Sequence, residues 1–397
     1  MPNVRLKAGH VQPVWAGHPW VYAQAVDRVE GGALAGDEVD VVDPRGNFLG
    51  RGFYSPKSAI VVRILSRTKD AKIDTAFFRQ RIRRAIALRR DVGLPNDATN
   101  GHRLVHAEGD GLPGLIIDRF DDVVALQFLT IGMKRHEGAV LEALRDELGP
   151  RAIVDRTPEA TAKAEGFPPV SGSPVLRGAE VRELVFRERG FRYRVSLDVG
   201  HKTGYYFDQR PLRTRIEELA RGRRVLDTYC FLGSISMAAA RGGATHVLAV
   251  DESAVALEMG AECAKENGLA SVITFEKRDA RKTLADVGVD GGMDLVIVDP
   301  PRLAPTRANR DNALVAYAKL AELGCRATRP GGLLVFCSCS GAVDLQSLTR
   351  ALAMGAMRAN VSAVVLERLF QGADHPVVAA FPEGLYLKCL IARIDSR

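Results

Sequence analysis

The chain has 397 residues, 46 % hydrophobic and 26 % charged, which excludes a disordered chain and is long enough for two or three domains with their own cores. No stretch reaches the roughly 18 uninterrupted apolar residues of a membrane span, and Arg5 and Lys7 have no hydrophobic signal core behind them, so a cytoplasmic protein without a membrane partner is expected. A net charge of +7 favours an anionic partner, nucleic acid among them. The cysteines, Cys230, Cys263, Cys325, Cys337, Cys339 and Cys389, show neither a paired framework nor the CxxC spacing of a zinc site, so reduced thiols and no metal are expected.

From Val4 to Arg67 short alternating stretches such as Glu38-Val39-Asp40-Val41-Val42, broken by turns such as Pro44-Arg45-Gly46-Asn47, predict a small β-barrel. Thr75 to Arg90 follows as an amphipathic helix, with Phe77, Ile82, Ile86 and Leu88 apolar and Arg79, Arg81, Arg83, Arg84, Arg89 and Arg90 unbalanced by any acid in the run. Two strands flanking Asp121-Asp122, a helix over His136 to Leu148 and a strand at Ala152 to Asp155 indicate a compact α+β region. A hairpin then runs Val181 to Glu188, turns at Arg189-Gly190 and returns over Phe191 to Asp198.

Beyond Gly204 the rhythm becomes strand, helix, strand, helix. Strands are expected at Arg224 to Thr228, His246 to Asp251, Val272 to Lys277, Asp294 to Val298 and Leu333 to Ser338, in a parallel sheet wound with helices. Val361 to Leu369 and Gly384 to Arg393 read as a closing strand pair without a helical crossover, which predicts an antiparallel edge.

In such sheets ligands bind beyond the carboxyl ends of the strands. The first strand ends in Val225-Leu226-Asp227 and enters Tyr229-Cys230-Phe231-Leu232-Gly233-Ser234, where Gly233 allows close approach of a ligand. The second ends in Asp251, suited to accept from both hydroxyls of a ribose, and the third at Asp279, suited to an adenine amino group. Each acid could instead be a helix N-cap. No GxGxxG run is present to seat a pyrophosphate, so a nucleoside cofactor without phosphate fits better, and S-adenosyl-L-methionine is one. The fourth strand ends in Asp299-Pro300-Pro301, a stiff loop carrying a carboxylate. The fifth ends in Cys337-Ser338-Cys339-Ser340-Gly341. Cys339, nearer the carboxyl end, is either a small buried thiol or a nucleophile that attacks C6 of a pyrimidine so that C5 can accept a methyl group.

With these residues in place the chain resembles the RlmI-like family of 23S rRNA cytosine-C5 methyltransferases over nearly its whole length. The resemblance is carried by Gly200-His201-Lys202-Thr203-Gly204-Tyr205-Tyr206-Phe207-Asp208-Gln209-Arg210, by Asp299-Pro300-Pro301 and Ser338-Cys339-Ser340, and by Ala373-Asp374-His375-Pro376 with Phe381-Pro382-Glu383-Gly384-Leu385-Tyr386-Leu387-Lys388. Upstream it is carried by Gly17-His18-Pro19-Trp20-Val21, Phe53-Tyr54-Ser55-Pro56-Lys57-Ser58 and Asp110-Gly111-Leu112-Pro113-Gly114.

It implies an α/β protein in three parts: a PUA-like RNA-binding β-barrel over 1–70, a central α+β domain with the basic helix and hairpin over 71–190, and a Rossmann-like class I methyltransferase domain over 191–397. The last has a mostly parallel seven-stranded sheet with an antiparallel last strand. It further implies Cys339 and Asp299 as catalytic residues and S-adenosyl-L-methionine held by Gln209, Asp227, Tyr229, Phe231, Gly233, Asp251, Asp279 and Asp299. RNA contacts are expected at Lys57, Arg83, Arg84 and Lys202, with 23S ribosomal RNA as partner and a homodimer as one expected assembly. The chain departs from the family at Leu232 and Ser234, in a run with more glycine elsewhere in the family, where a position needing positive φ would be strained by about 1 kcal/mol. It departs again at Arg302-Leu303 and at Tyr317-Ala318-Lys319-Leu320-Ala321. These differences leave exocyclic-amine methylation, or a non-catalytic RNA-binding paralogue, as alternative readings.

Overall fold

The computed structural model describes residues 1–397 except 171, 173, 199–202 and 305, and the side chain of residue 307. The chain forms two compact units, one of residues 1–207 with 373–384 and the other of residues 208–372 with 385–397.

In the first unit β1 (Asn3–Leu6), β2 (Trp20–Tyr22), β3 (Val26–Glu30), β4 (Glu38–Val42), β5 (Phe48–Tyr54) and β6 (Ile60–Ser66) form a six-stranded sheet in the order β2-β6-β5-β4-β1-β3. Alternation puts Val4, Leu6, Val39, Val41, Val62 and Ile64 into one core. The helix α1 (Val11–Trp15) sits between β1 and β2.

The next helix, α2 (Thr75–Asp91), starts where the Asp74 carboxylate accepts from Phe77 N, and it buries Phe77, Phe78, Ile82 and Ala85. It packs on α4 (Glu137–Leu148), which follows the short α3 (Ile131–Arg135). Beneath lies a five-stranded sheet of β7 (Gly101–His106), β8 (Leu115–Phe120), β9 (Val123–Phe128), β10 (Ala152–Asp155) and, past α5 (Glu159–Glu165), β11 (Val175–Gly178), in the order β11-β10-β9-β8-β7. The hairpin of β12 (Glu183–Glu188) and β13 (Phe191–Ser196) pairs from Glu183↔Ser196 to Glu188↔Phe191. Its Phe186 and Tyr193 join Phe120, Tyr205 and Phe207 in an aromatic cluster with centroids about 5 Å apart.

The basic helix is less free than its sequence suggests. Arg79 pairs with Asp146, Arg83 with Glu147 at 2.7 Å, and fully buried Arg89 with Asp110 at 2.5 Å. The acids come from α4 and from the turn after β7, at distances along the chain that no local pattern reveals. Arg84 and Arg90 stay exposed.

The second unit follows the sequence pattern closely. After α6 (Arg210–Leu219) the chain alternates through β14 (Arg224–Thr228), α7 (Ser234–Arg241), β15 (His246–Asp251), α8 (Ala254–Glu266), β16 (Ile273–Lys277), α9 (Ala280–Val289), β17 (Met293–Val298), α10 (Arg310–Ala327), β18 (Thr328–Ser338) and α11 (Leu345–Arg358), then β19 (Val361–Phe370) and β20 (Lys388–Ser396). The sheet order is β16-β15-β14-β17-β18-β20-β19; β14 to β18 are mutually parallel, and β20 runs antiparallel to both neighbours.

The last strand in sequence is antiparallel and the closing pair gives the sheet an antiparallel end, as expected; within the pair β20 lies inside and β19 outside. β20 inserts between β18 and β19 and is buried at six of its nine residues, as its continuous run Cys389-Leu390-Ile391-Ala392 requires. β19 has half-buried and exposed residues, alternating along its middle, and forms the edge. No described helix is long and apolar enough to cross a membrane.

Candidate functional site

The residues singled out for cofactor and chemistry lie in the second unit, all but Gln209 at or just after the carboxyl ends of parallel strands. Asp227, the penultimate residue of β14, is fully buried; its Oδ2 accepts from Ser236 Oγ at 2.6 Å, and its Oδ1 has no hydrogen-bond partner among the described residues. Burial, helped by the negative charges of Asp299 and Asp251, pushes its carboxyl up to about 7. Three carboxylates from β14, β15 and β17 therefore share one electrostatic neighbourhood, which favours a cationic ligand.

The turn after β14 carries positive φ at Tyr229 (61°), Phe231 (52°) and Gly233 (66°). Leu232 and Ser234 do not need it, so the strain anticipated at those two positions does not arise; it falls on the two aromatic residues instead. The loop is held by Phe231 N donating to Asp251 Oδ2 at 2.9 Å and by Gly233 N donating to the Cys230 carbonyl. Asp251 Oδ1 accepts from Ser253 N at 2.9 Å, and each of its oxygens keeps a lone pair for a ligand hydroxyl. Asp279 is the N-cap of α9, accepting from Lys282 N at 2.8 Å, so the capping alternative holds there, with its second oxygen left over.

A Cβ on Gly233 would stand 2.6 Å from the Phe275 ring in a left-handed backbone. Gly233→Ala should therefore lower the unfolding free energy by about 1–3 kcal/mol and weaken cofactor binding, as denaturant titration and calorimetry would read. Unchanged values would mean that the turn relaxes freely.

Gln209, which precedes α6, is buried and donates through Nε2 to Asp299 Oδ2 at 2.7 Å; its Oε1 accepts from the Cys389 thiol at 3.6 Å. Gln209 thus orients the Asp299 carboxylate, which lies half-buried at the start of the Pro300-Pro301 loop. Past that loop Ala304 N donates to Ser340 Oγ at 3.1 Å, tying the segment after β17 to the segment after β18.

The Ser338-Cys339-Ser340 run is fastened on both sides of its cysteine. Ser338 Oγ donates to the buried Tyr317 hydroxyl at 2.8 Å, Tyr317 and Ser340 hydroxyls stand 3.2 Å apart, and Ser340 N donates to Ser338 Oγ. Both serines are fully buried, while Cys339 between them is half-exposed, the one such thiol among the six. Cys337 is wholly buried opposite Cys389, and burial drives its thiol well above the ordinary range. Lys388, buried on β20, donates to the carbonyls of Ser340 at 2.8 Å and Val343 at 2.5 Å, and burial lowers its ammonium to about 8.

Sequence reasoning did not give Tyr317, Ser236 or Lys388 a role. For Lys388 a signal existed: a lone cation at the head of an apolar strand. Of the expected RNA contacts, Lys57 and Arg84 are exposed, Arg83 is exposed but bound to Glu147, and Lys202 lies outside the described residues. Arg302 is exposed and Leu303 half-buried after the two prolines.

The partnerless buried oxygen of Asp227 and the glycine cradle at Gly233 suit a nucleoside cofactor with an ammonium group. Residues 4–67 match the PUA-like domain family and residues 102–392 the S-adenosylmethionine-dependent methyltransferase family. The chain is 36 % identical over 396 residues to ribosomal RNA large subunit methyltransferase I of Shewanella denitrificans, with 99 % of each chain covered. It is also 36 % identical over 392 residues to the protein of that name from Yersinia pseudotuberculosis, with 98 % of each covered. Among solved structures, a proposed methyltransferase complexed with S-adenosylhomocysteine superimposes with a TM-score of 0.86 at 19 % identity, over 99 % of this chain and 100 % of that one. A proposed methyltransferase from Streptococcus mutans gives 0.85 at 19 % identity with the same coverage. With its cofactor S-adenosylmethionine, the chain belongs to the family of ribosomal RNA large subunit methyltransferase I.

Proposed function

We propose that this protein methylates C5 of a cytosine in 23S ribosomal RNA, with Cys339 as nucleophile. The observation that carries the reading is the half-exposed Cys339 thiol, held between two buried serines in the same strand-end region as Asp227, Asp251 and Asp299. A ring carbon needs activation that an amine does not. Addition of the Cys339 thiolate to C6 makes C5 electron-rich; loss of the C5 proton and elimination of the thiol then restore the ring. Bound S-adenosylmethionine supplies the electrophilic methyl group. Asp299, oriented by Gln209, holds the pyrimidine edge, and the base leaves its stack to reach the thiol. Gln209, Asp227, Tyr229, Phe231, Gly233, Asp251, Asp279 and Asp299 form the cofactor's surroundings in this reading. The test is digestion and nucleoside analysis of unmodified 23S rRNA after incubation with methyl-labelled cofactor: label in 5-methylcytidine supports the reading, and label in another nucleoside sinks it.

In the same reading residues 1–70 and 71–190 serve as RNA-handling modules in front of the catalytic module over 191–397, with Lys57, Arg83 and Arg84 on phosphates. Arg84 is favoured over Arg83. With Arg67 and Arg81 it lines a cavity of about 630 Å³ in the first unit, and no carboxylate among the described residues pairs with any of the three. Arg84→Glu should weaken binding of an rRNA fragment and reduce the salt slope by about 1, whereas Arg83→Glu should do less. An unchanged slope in Arg84→Glu would remove that residue from the interface.

A further inference from the structure

We propose that Lys388 is a positioning residue for Cys339: its ammonium clamps the segment that carries the thiol, and its charge favours the thiolate over the thiol. The consequence for catalysis rests on the reading of Cys339 as nucleophile; the electrostatic link does not.

Lysine is rarely placed in the interior strand of a sheet, because burying an ammonium is costly unless it is hydrogen-bonded and its charge is compensated. Here β20 lies between β18 and β19, and Lys388 is 3 % exposed. Its register partner is Ser338, the residue just before Cys339. The ammonium spends two donors on the carbonyls of Ser340 and Val343, the first of which is one residue past the thiol. Together with the Ser338–Tyr317 bond on the other side, this fixes the backbone on both flanks of Cys339.

Carbonyl dipoles solvate the cation without neutralising it. No carboxylate among the described residues lies within ion-pair distance of Lys388. The charged and titratable groups facing it are Cys339 and Asp344 after β18, Cys389 on its own strand, and Arg302 after β17, which opposes it. Cys339 in turn shares its surroundings with Tyr317, Cys337 and the Asp299 carboxylate, whose negative charge opposes the thiolate as Lys388 favours it. Cys337 and Cys389 are enclosed in the sheet, so Cys339 is the facing thiol with access to solvent and substrate, and a cation beside a thiol lowers the cost of ionising it. Two roles converge on one side chain: a clamp that only a long donor could make, and a positive charge carried at neutral pH and lost as pH rises through about 8.

The experiment is the pH dependence of Cys339 alkylation by iodoacetamide in the full-length protein, read from the Cys339-containing peptide, for wild type, Lys388→Met and Lys388→Arg. In wild type the midpoint should lie below the roughly 8.5 of an ordinary cysteine. It should rise by about one pH unit in Lys388→Met, making alkylation about tenfold slower at pH 7. Lys388→Arg, which keeps the charge, should stay within about threefold of wild type.

A wild-type midpoint at or above that of an ordinary cysteine overturns the proposal, and that measurement needs no variant to fold. Coincident profiles for wild type and Lys388→Met overturn it too. Equal shifts in both variants would mean that the residue acts by shape alone, which also overturns the electrostatic role. Should Cys339→Ala keep full methylation, the nucleophile reading fails while the alkylation result stands, so the two failures are distinguishable.

Discussion

Cys339→Ala should abolish formation of 5-methylcytidine, by about four orders of magnitude or more, on the scale seen when other catalytic nucleophiles are removed. Cytosine C5 has no acidic proton and no lone pair, so without addition at C6 nothing on the chain makes it attack a methyl group. The loss should be confined to chemistry. Cys339 follows β18 and lies outside the turn after β14 that carries Asp227, Phe231 and Asp251 contacts, so calorimetry should give a cofactor affinity within about twofold of wild type. Cys339→Ser should be nearly as inactive, since a hydroxyl at neutral pH is a far weaker nucleophile. Methyl transfer that survives in both variants would move the reaction to an exocyclic amine, and transfer by neither wild type nor variant would favour an RNA-binding role without catalysis.

Cofactor affinity should rise with pH between about 6 and 8, and Asp227 is the reason. In the folded chain its carboxyl titrates at about 7, pushed up first by burial and then by Asp299 and Asp251. In the unfolded chain it titrates near the ordinary value of about 3.9. Between those values the folded state holds a proton that the unfolded state has lost. The cofactor-free protein therefore loses stability as pH rises from about 4 to 7, and the penalty is complete above about 7. Asp227→Asn should flatten that part of the stability profile.

The α-ammonium of S-adenosylmethionine is the natural partner for the unpaired Oδ1. Binding at pH 6 should then release close to one proton, which calorimetry in buffers of different ionisation enthalpy measures directly. Asp227→Asn should weaken binding about 10- to 100-fold, the equivalent of one charge-assisted hydrogen bond of about 1.5–3 kcal/mol. Proton-neutral binding of unvarying affinity across this range would show that the cofactor's charge sits elsewhere.

Much of the catalytic unit was legible from local patterns. Val225-Leu226, Val247 to Val250 and Leu295 to Val298 are short apolar runs ending in an acid, the signature of strands buried on both faces, and the observed ends of β14, β15 and β17 match the reading. Because parallel strands with helical crossovers all present their carboxyl ends on one side, the residues after those ends could be grouped without coordinates: Asp227, Asp251, Asp299 and Cys339. Asp279 was read with two outcomes open, and the structure realises the cap.

What stayed hidden depends on strand order and on partners far along the chain. Nothing near Arg83 announces Glu147, and nothing near Asp227 announces the orphaned oxygen left once Ser236 has taken the other. The role of Tyr317 requires α10 to lie against β18, and that of Lys388 requires β20 to enter beside β18 rather than close the edge. The amino-acid sequence by itself determined the alternation of elements, the acids at the strand ends and the thiol among two serines, because periodicity, turn chemistry and the handedness of crossovers act over a few residues. The tertiary structure alone decided which of those groups are desolvated, which are already paired and which charge faces Cys339. Burial and ionisation depend on what the rest of the chain packs around a side chain, and local sequence carries no record of that.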